Sequence, residues 1–200
     1  DVGTLENIQH GLVREALRLT GIESGVEITT IADIPGQGTG LGSSSSVTVG
    51  LLNAMHAFQG REVSKEQLAE EACQIEIDTL GAPIGRQDQY AASFGGVNSI
   101  RFGENGVQVE PIEVSEGLSQ KFSENFTLVF TGLTRSASRV LSEQSDDETD
   151  KNSRMREIRK HADEAVSHIE HGDLDSLGAI LNQTWASKRG VSSMVTNTQI

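Results

Sequence analysis

The chain has 200 residues, 36% of them hydrophobic, and its 16 Lys and Arg against 29 Asp and Glu leave a net charge of −13. That length suits one large domain or two small ones with a real core. The acidic balance excludes nucleic acid and anionic membrane as main partners, because both need a basic surface, while a small anionic substrate stays open.

Residues 6–20 place Ile8, Leu12, Val13, Ala16, Leu17 and Leu19 at helical spacing, with Gly21 as a stop. The stretch "GVEITTIADIP", 25–35, alternates as a strand does and ends at Pro35. A Gly/Ser stretch follows, and from Val47 the positions Leu51, Ala54, Met55 and Phe58 suit a helix stopped by Gly60. Ser64 is an N-cap candidate for the next helix, with Gln67 three residues on to complete a capping box and Gly81 to end it. "VNSIRF" and "VQVEPIEV" read as strands around the turn "GENG". "NFTLVFTG", 125–132, reads as a buried strand and "SASRVLSEQ" as a helix after it. "SDDETD" reads as an exposed acidic loop. Helices are expected over about 153–171 and 174–188, with another beginning near Ser192. This order predicts two α+β units meeting near 115–122. No run of about eighteen apolar residues and no signal peptide is visible. One cysteine, Cys73, excludes a disulfide framework and fits a reducing, cytoplasmic compartment. The chain opens at Asp1 without Met and closes within an apparent helix, so a piece of a longer polypeptide is expected.

The segment "PGQGTGLGSSSSVTVG" from Pro35 poses a choice between a flexible linker and a loop built to hold a ligand. A P-loop needs a Gly-Lys pair, which the chain lacks, and the G-x-G-x-x-G fingerprint fails from Gly36, Gly38 and Gly40 alike. The H-R-D and D-F-G signatures of protein kinases are also absent. The physics still favours an anion. Glycines let backbone N–H groups approach a ligand, serines supply hydroxyls and caps, and a helix N-terminus offers unpaired amides and a positive dipole end.

On a helical wheel Leu68, Ala69, Ala72, Cys73, Ile75 and Leu80 cluster on one side, and Glu76 lies near the middle of that side. A buried carboxylate must be paired, protonated or metal-bound, so a salt bridge to an unseen arginine and a metal role both stand. Asp88 follows in "GAPIGRQDQYAASFGG", bracketed by glycines, with Arg86 two residues before it. A nearby cation would keep such an aspartate ionised, and an ionised aspartate can orient a hydroxyl or take its proton. An aspartate in an ordinary turn is the plain alternative. His161, His168 and His171 fall near one helix face, and a solvated face explains them better than a metal.

Together these pieces resemble the GHMP kinases. "PGQGTGLGSSSSVTVG" looks like that family's second motif, which ends G-L-G-S-S-A-A, with Ser45 and Ser46 in place of the two alanines. The likeness is strongest to the sugar-kinase branch that contains the heptose 7-phosphate kinases. There "GxQDQYAAxFGGxN" recurs, matched here by Gly85 to Asn98, and "FTGLTRSASRVLSEQ" is similar to that branch's "TGxSRxSxxIxxEQ". The resemblance covers nearly the whole chain and implies that an N-terminal substrate strand and a C-terminal Gly-rich third motif lie outside it.

The resemblance implies an α+β, two-domain GHMP architecture. Residues 1–118 would be the remainder of the N-terminal ATP-binding domain and 119–200 the beginning of the C-terminal domain. Gly38, Thr39, Gly40, Leu41, Gly42, Ser43, Ser44 and Ser45 match the ATP phosphate loop. Ser44 matches the hydroxyl that reaches Mg²⁺, to within one position, and Glu76 the Mg²⁺ carboxylate. Asp88 matches the catalytic aspartate. Arg86 stands where Lys is expected and is placed near the transferring phosphate or a substrate anion; the change of geometry leaves its role open. Gly95, Gly96 and Arg135 are substrate-pocket candidates alongside Asp88. The implied activity is ATP- and Mg²⁺-dependent phosphorylation of a sugar hydroxyl, with the anomeric C1 hydroxyl of a heptose 7-phosphate first. A fucose, galactose or mevalonate-type kinase and a catalytically silent nucleotide- or sugar-binding relative are the alternatives. The expected partner is a small sugar or sugar phosphate in the cytoplasm, with homo-oligomer formation left open.

Overall fold

The computed structural model describes residues 3–32, 40–129, 148–191 and 196. Contacts divide them into two units, one ending at Gly96 and one beginning at Val97. The chain is α+β, with helices and a two-stranded antiparallel sheet. No described helix is long and apolar enough to cross a membrane.

In the first unit, the stretch expected as one helix from Glu6 is a 3-10 turn, Leu5–Asn7, followed by α1, Gly11–Thr20. Ile8 and His10 between them are extended. His10 Nδ1 accepts from the Val13 amide and so caps α1. Gly21 ends it in the left-handed region, φ 73°, and its amide returns to the carbonyls of Arg18 and Leu17. Residues 25–32, expected as part of a strand, form none. They have no strand partner among the described residues, and Ile31 is 91% exposed. Alternation alone does not hold a strand; its backbone bonds need a neighbour.

Helix α2 runs Ser43–Phe58, four residues ahead of the apolar pattern that begins at Val47. The serines expected as caps therefore form its first turn, and the N-cap is Gly42, which makes no side-chain cap bond. Helix α3, Lys65–Cys73, is capped as the sequence predicts: Ser64 Oγ accepts from the Gln67 amide at 3.1 Å. Gln67 Nε2 donates onward along the helix to Glu71 Oε1 at 2.8 Å. Past α3 the chain widens into a π-helical turn, Gln74–Thr79. That turn breaks the constant angular step of the wheel, so Leu80, expected on the apolar side, is 38% exposed. Helix α4, Gln87–Phe94, ends at Gly95.

Helix α1 packs on α2 and on the π turn, α2 on α3, and α4 on both α2 and α3. Ala16, Leu17, Ile22, Val49, Leu52, Met55, Leu68, Ala72 and Ile75 form the core between them. Helix α4 is further tied to the start of α3: Lys65 Nζ donates to Phe94 O at 2.9 Å, and Ser93 Oγ to Lys65 O at 2.6 Å.

The second unit opens with the expected hairpin, β1 Asn98–Gly103 and β2 Gly106–Pro111. Ile100 faces Val109 and Phe102 faces Val107, and Gly106 takes φ 114° at the turn. Helix α5, Glu116–Asn125, is capped by Ser115 and covers the first residue of the expected strand 125–132. Residues 126–129 form no strand, and Leu128 and Val129 are exposed; the rest of that segment and the helix expected after it lie outside the described residues. Helices α6, Glu148–His171, and α7, Leu174–Val191, pack on each other. His161 Nδ1 lies 3.0 Å from Thr184 Oγ1, His168 Nδ1 lies 3.2 Å from Asp173 Oδ2, and His171 Nδ1 lies 2.7 Å from Ser167 O. The helix expected from Ser192 falls outside the described residues.

Candidate functional site

The site lies in the first unit and begins with the helix that follows the Gly/Ser loop. Gly42 holds φ 66°, a conformation that a side chain rarely tolerates, and lets the chain turn directly into α2. The first amide to bond back within the helix is that of Ser46, to Gly42 O at 3.0 Å. Amides ahead of it stand outside the intrahelical ladder at the positive end of the helix dipole. Gly40 is also left-handed, φ 71°, and Leu41 is exposed. Gly38, Thr39 and Arg135 lie outside the described residues.

Glu76 is 2% exposed at the π turn and carries no arginine or lysine partner among the described residues. The salt bridge left open by the sequence is therefore not what satisfies it. Its Oε1 accepts from Ser44 Oγ at 2.8 Å and from Thr48 Oγ1 at 2.7 Å, the nearer of two acceptors for the single Thr48 proton, since Ser44 O lies 3.0 Å away. Its Oε2 accepts from Ser45 Oγ at 2.8 Å and from Gln89 Nε2. These four donors fill the acceptor capacity of a carboxylate. Ser45, Thr48 and Gln89 are buried, whereas Ser44 is exposed. The cluster thus opens to solvent on the Ser44 side, next to the N-terminus of α2. Thr48 and Gln89 were not among the sequence candidates. The available signals were a lone polar residue at Thr48, four after Ser44 on the same helix face, and the amide next to Asp88.

Asp88 sits in the first turn of α4 and is exposed. It lies against the glycine that starts α2: a Cβ built on Gly42 would come within 3.4 Å of Asp88 Cγ. Its neighbour Gln89 points the other way, into Glu76. The structure thus brings Gly42, Ser44, Glu76 and Asp88 together at one end of α2.

Arg86 is placed apart from Asp88. Its guanidinium bonds Glu70 and lies over the Tyr90 ring, 5.7 Å from the centroid. The cation expected beside the aspartate is drawn off by a carboxylate on α3 and an aromatic face one turn along α4. Tyr90 also donates its hydroxyl to Glu70, and burial, then that bond, pushes its phenol well above the usual range. Burial raises the Cys73 thiol, and the contact with Cys73 is the largest of the influences that raise Arg86. Glu70, Cys73 and Arg86, with Glu71, Gln74, Ile77 and Asp78, line a cleft of about 460 Å³. Gly95 and Gly96 follow α4 with φ 63° and 71°. No neighbour crowds either Cβ position, so backbone conformation rather than close packing calls for glycine there.

Residues 7–96 match the family model described as the GHMP kinases N terminal domain. The chain is 32% identical over 174 residues to a D-glycero-alpha-D-manno-heptose 7-phosphate kinase of Campylobacter jejuni, covering 86% of this chain and 51% of that protein. It is 27% identical over 195 residues to an L-fucokinase/L-fucose-1-P guanylyltransferase of Bacteroides fragilis, covering 93% of this chain and 20% of the relative. A solved D-glycero-D-manno-heptose 1-phosphate kinase from Bacteroides thetaiotaomicron superposes with a TM-score of 0.76 at 26% identity, over 90% of this chain and 55% of that one. The chain therefore spans about half the length of the heptose kinases it matches.

Proposed function

The chain belongs to the GHMP kinase family through the N-terminal domain that residues 7–96 carry, and from that premise we propose that it is part of an ATP-dependent sugar kinase. The observation that carries this reading is the buried carboxylate of Glu76, uncompensated by any described cation, opening through Ser44 onto the start of α2 with Asp88 alongside. The amides at that helix start suit the phosphates of ATP. The donor set around Glu76 is one carboxylate and hydroxyl oxygens, hard ligands of the kind Mg²⁺ takes when phosphates and water complete its shell. Ser44 and Glu76 would hold it, and the ion would supply charge neutralisation at the phosphate oxygens.

Both Ser44 and Ser45 bond Glu76, and the exposure of residue Ser44 against the burial of Ser45 supports Ser44 as the hydroxyl that reaches the ion. Asp88 accepts or orients the proton of the attacking sugar hydroxyl. Arg86 is the cation of the same loop; to meet a transferring phosphate it must exchange Glu70 for phosphate oxygens. Gly95 and Gly96 leave open backbone for the sugar, and Arg135 serves its anionic end. Residues 1–118 are the remainder of the N-terminal ATP-binding domain and 119–200 the beginning of the C-terminal GHMP domain. The single buried cysteine supports a cytoplasmic setting.

The similarity to heptose kinases favours a heptose 7-phosphate as substrate and its C1 hydroxyl as acceptor, giving a sugar 1,7-bisphosphate. The test is a coupled ATPase screen of the polypeptide as the cell makes it, against heptose 7-phosphate, fucose, galactose and mevalonate, with the product's phosphate located by NMR. Turnover with the heptose and a new C1 phosphate is expected. Preferred turnover of another acceptor would replace the substrate assignment, and nucleotide binding without transfer to any acceptor would overturn the kinase reading in favour of a silent relative.

A further inference from the structure

We infer that Gln89, together with Thr48, is a positioning residue that holds the Glu76 carboxylate for its metal and couples it to Asp88; this rests on Glu76 being the metal carboxylate. The argument starts from saturation. With four donors on two oxygens, Glu76 has no acceptor site left for a cation unless a donor moves. Ser45, Thr48 and Gln89 are buried and packed, with Thr48 and Gln89 both at 0% exposure. Ser44 alone is exposed. Ser44 is therefore the donor that would yield to a cation held by Glu76, its hydroxyl then offering a lone pair in place of its proton. The three inner donors stay and fix the plane in which the carboxylate faces the opening.

Gln89 stands out among them. Its Oε1 is buried with no hydrogen-bond partner among the described residues, so its bond to Glu76 is the one that sets the amide's orientation. A buried amide oxygen left unpaired opposes folding, and an apolar side chain of equal volume would avoid that penalty. The amide's use therefore lies in its bond to Glu76. Gln89 also follows Asp88 directly, so the bond that holds the metal carboxylate also fixes the first turn of α4, from which Asp88 reaches Gly42. Outer-shell partners of this kind tune both ligand orientation and affinity.

The experiment measures Mn²⁺ binding by electron paramagnetic resonance in the presence of a non-hydrolysable ATP analogue, for Q89M, T48V, T48S and E76Q. Near-UV circular dichroism checks that each variant is folded. Q89M and T48V should each weaken Mn²⁺ by about tenfold or more, while T48S stays close to the unsubstituted protein. In turnover assays the metal concentration for half-maximal rate should rise in step in both, with kcat at saturating metal falling in Q89M, whose side chain also anchors the Asp88 turn, and much less affected in T48V. If Q89M does not fold, the T48V and T48S pair carries the test. Unchanged Mn²⁺ affinity in folded Q89M and T48V, with affinity lost in E76Q, would overturn the positioning role and leave Glu76 as ligand. A T48S as weak as T48V would overturn it as well. Unchanged affinity in E76Q would remove the metal reading of Glu76 and this inference with it.

Discussion

Gly42 and Asp88 meet across 46 positions of sequence: Asp88 Cγ lies 3.4 Å from where a Gly42 Cβ would stand. The glycine serves two ends at once. It takes a left-handed φ of 66°, and it gives the aspartate room beside the start of α2. A side chain there would be strained by about 1–2 kcal/mol for its backbone alone. G42A should therefore lower stability by roughly that amount and displace Asp88. Denaturant unfolding should show the first effect, and a fall in kcat together with a raised KM for ATP the second.

Replacing the Asp88 carboxylate by an amide keeps its shape and removes its capacity to accept a proton. D88N should bind nucleotide as before and lose turnover by about 10²- to 10⁴-fold. Calorimetric titration with ATP and a steady-state assay with the sugar acceptor separate the two quantities. A kcat near that of the unsubstituted protein would remove Asp88 from the chemistry.

E76Q and S44A should both raise the Mg²⁺ requirement, but for different reasons. The first removes the carboxylate on which four donors converge and leaves a buried amide in their midst, so it should also lower the melting temperature. The second removes the hydroxyl of an exposed residue, whose place on Glu76 water can take, and should lower melting less than E76Q does. A Mg²⁺ titration of rate, run beside a thermal melt, distinguishes them. An unchanged titration in both would count against the metal pair.

Away from the site, Glu15 is buried against Arg14 and Arg18. The bond from Arg18, stronger than the opposing effect of burial, holds its carboxyl below the ordinary 4.5. Between that ordinary value and the lower folded one, the unfolded chain binds the extra proton, so stability rises with pH. The contribution is fully present above about pH 4.5 and fades as pH falls through the folded value. E15Q should flatten the acid limb of a plot of unfolding midpoint against pH, with little change in slope between pH 6 and 8. An acid limb as steep as that of the unsubstituted chain would assign the proton linkage elsewhere.

Glu76 was visible in the sequence as a charge on an apolar helix face, because helical geometry alone puts it there. What satisfies it was not visible, since Ser45, Thr48 and Gln89 come from two other helices whose relative placement is a packing outcome. The start of α2 has no periodic signal for a related reason: four serines carry no apolar period, and the signal that matters is the left-handed glycine before them. Leu80 was misplaced because a wheel assumes one angular step and the π turn does not keep it. The segments 25–32 and 126–129 look like strands by composition, but no described segment offers them a partner. The hairpin was legible because its partner is local, two residues away across a glycine-flanked turn.

The cluster around Glu76 draws all its members from residues 42–89, within a single contact unit. Its loops are short in sequence, so closing them carries a small entropic cost. During synthesis this stretch emerges ahead of α6 and α7, and domains emerging first generally fold first. The carboxylate, its inner donors and the aspartate can then be in place on the nascent chain. A translation-arrested chain exposing residues through Gly96 should already protect the α2 and α4 amides from hydrogen exchange.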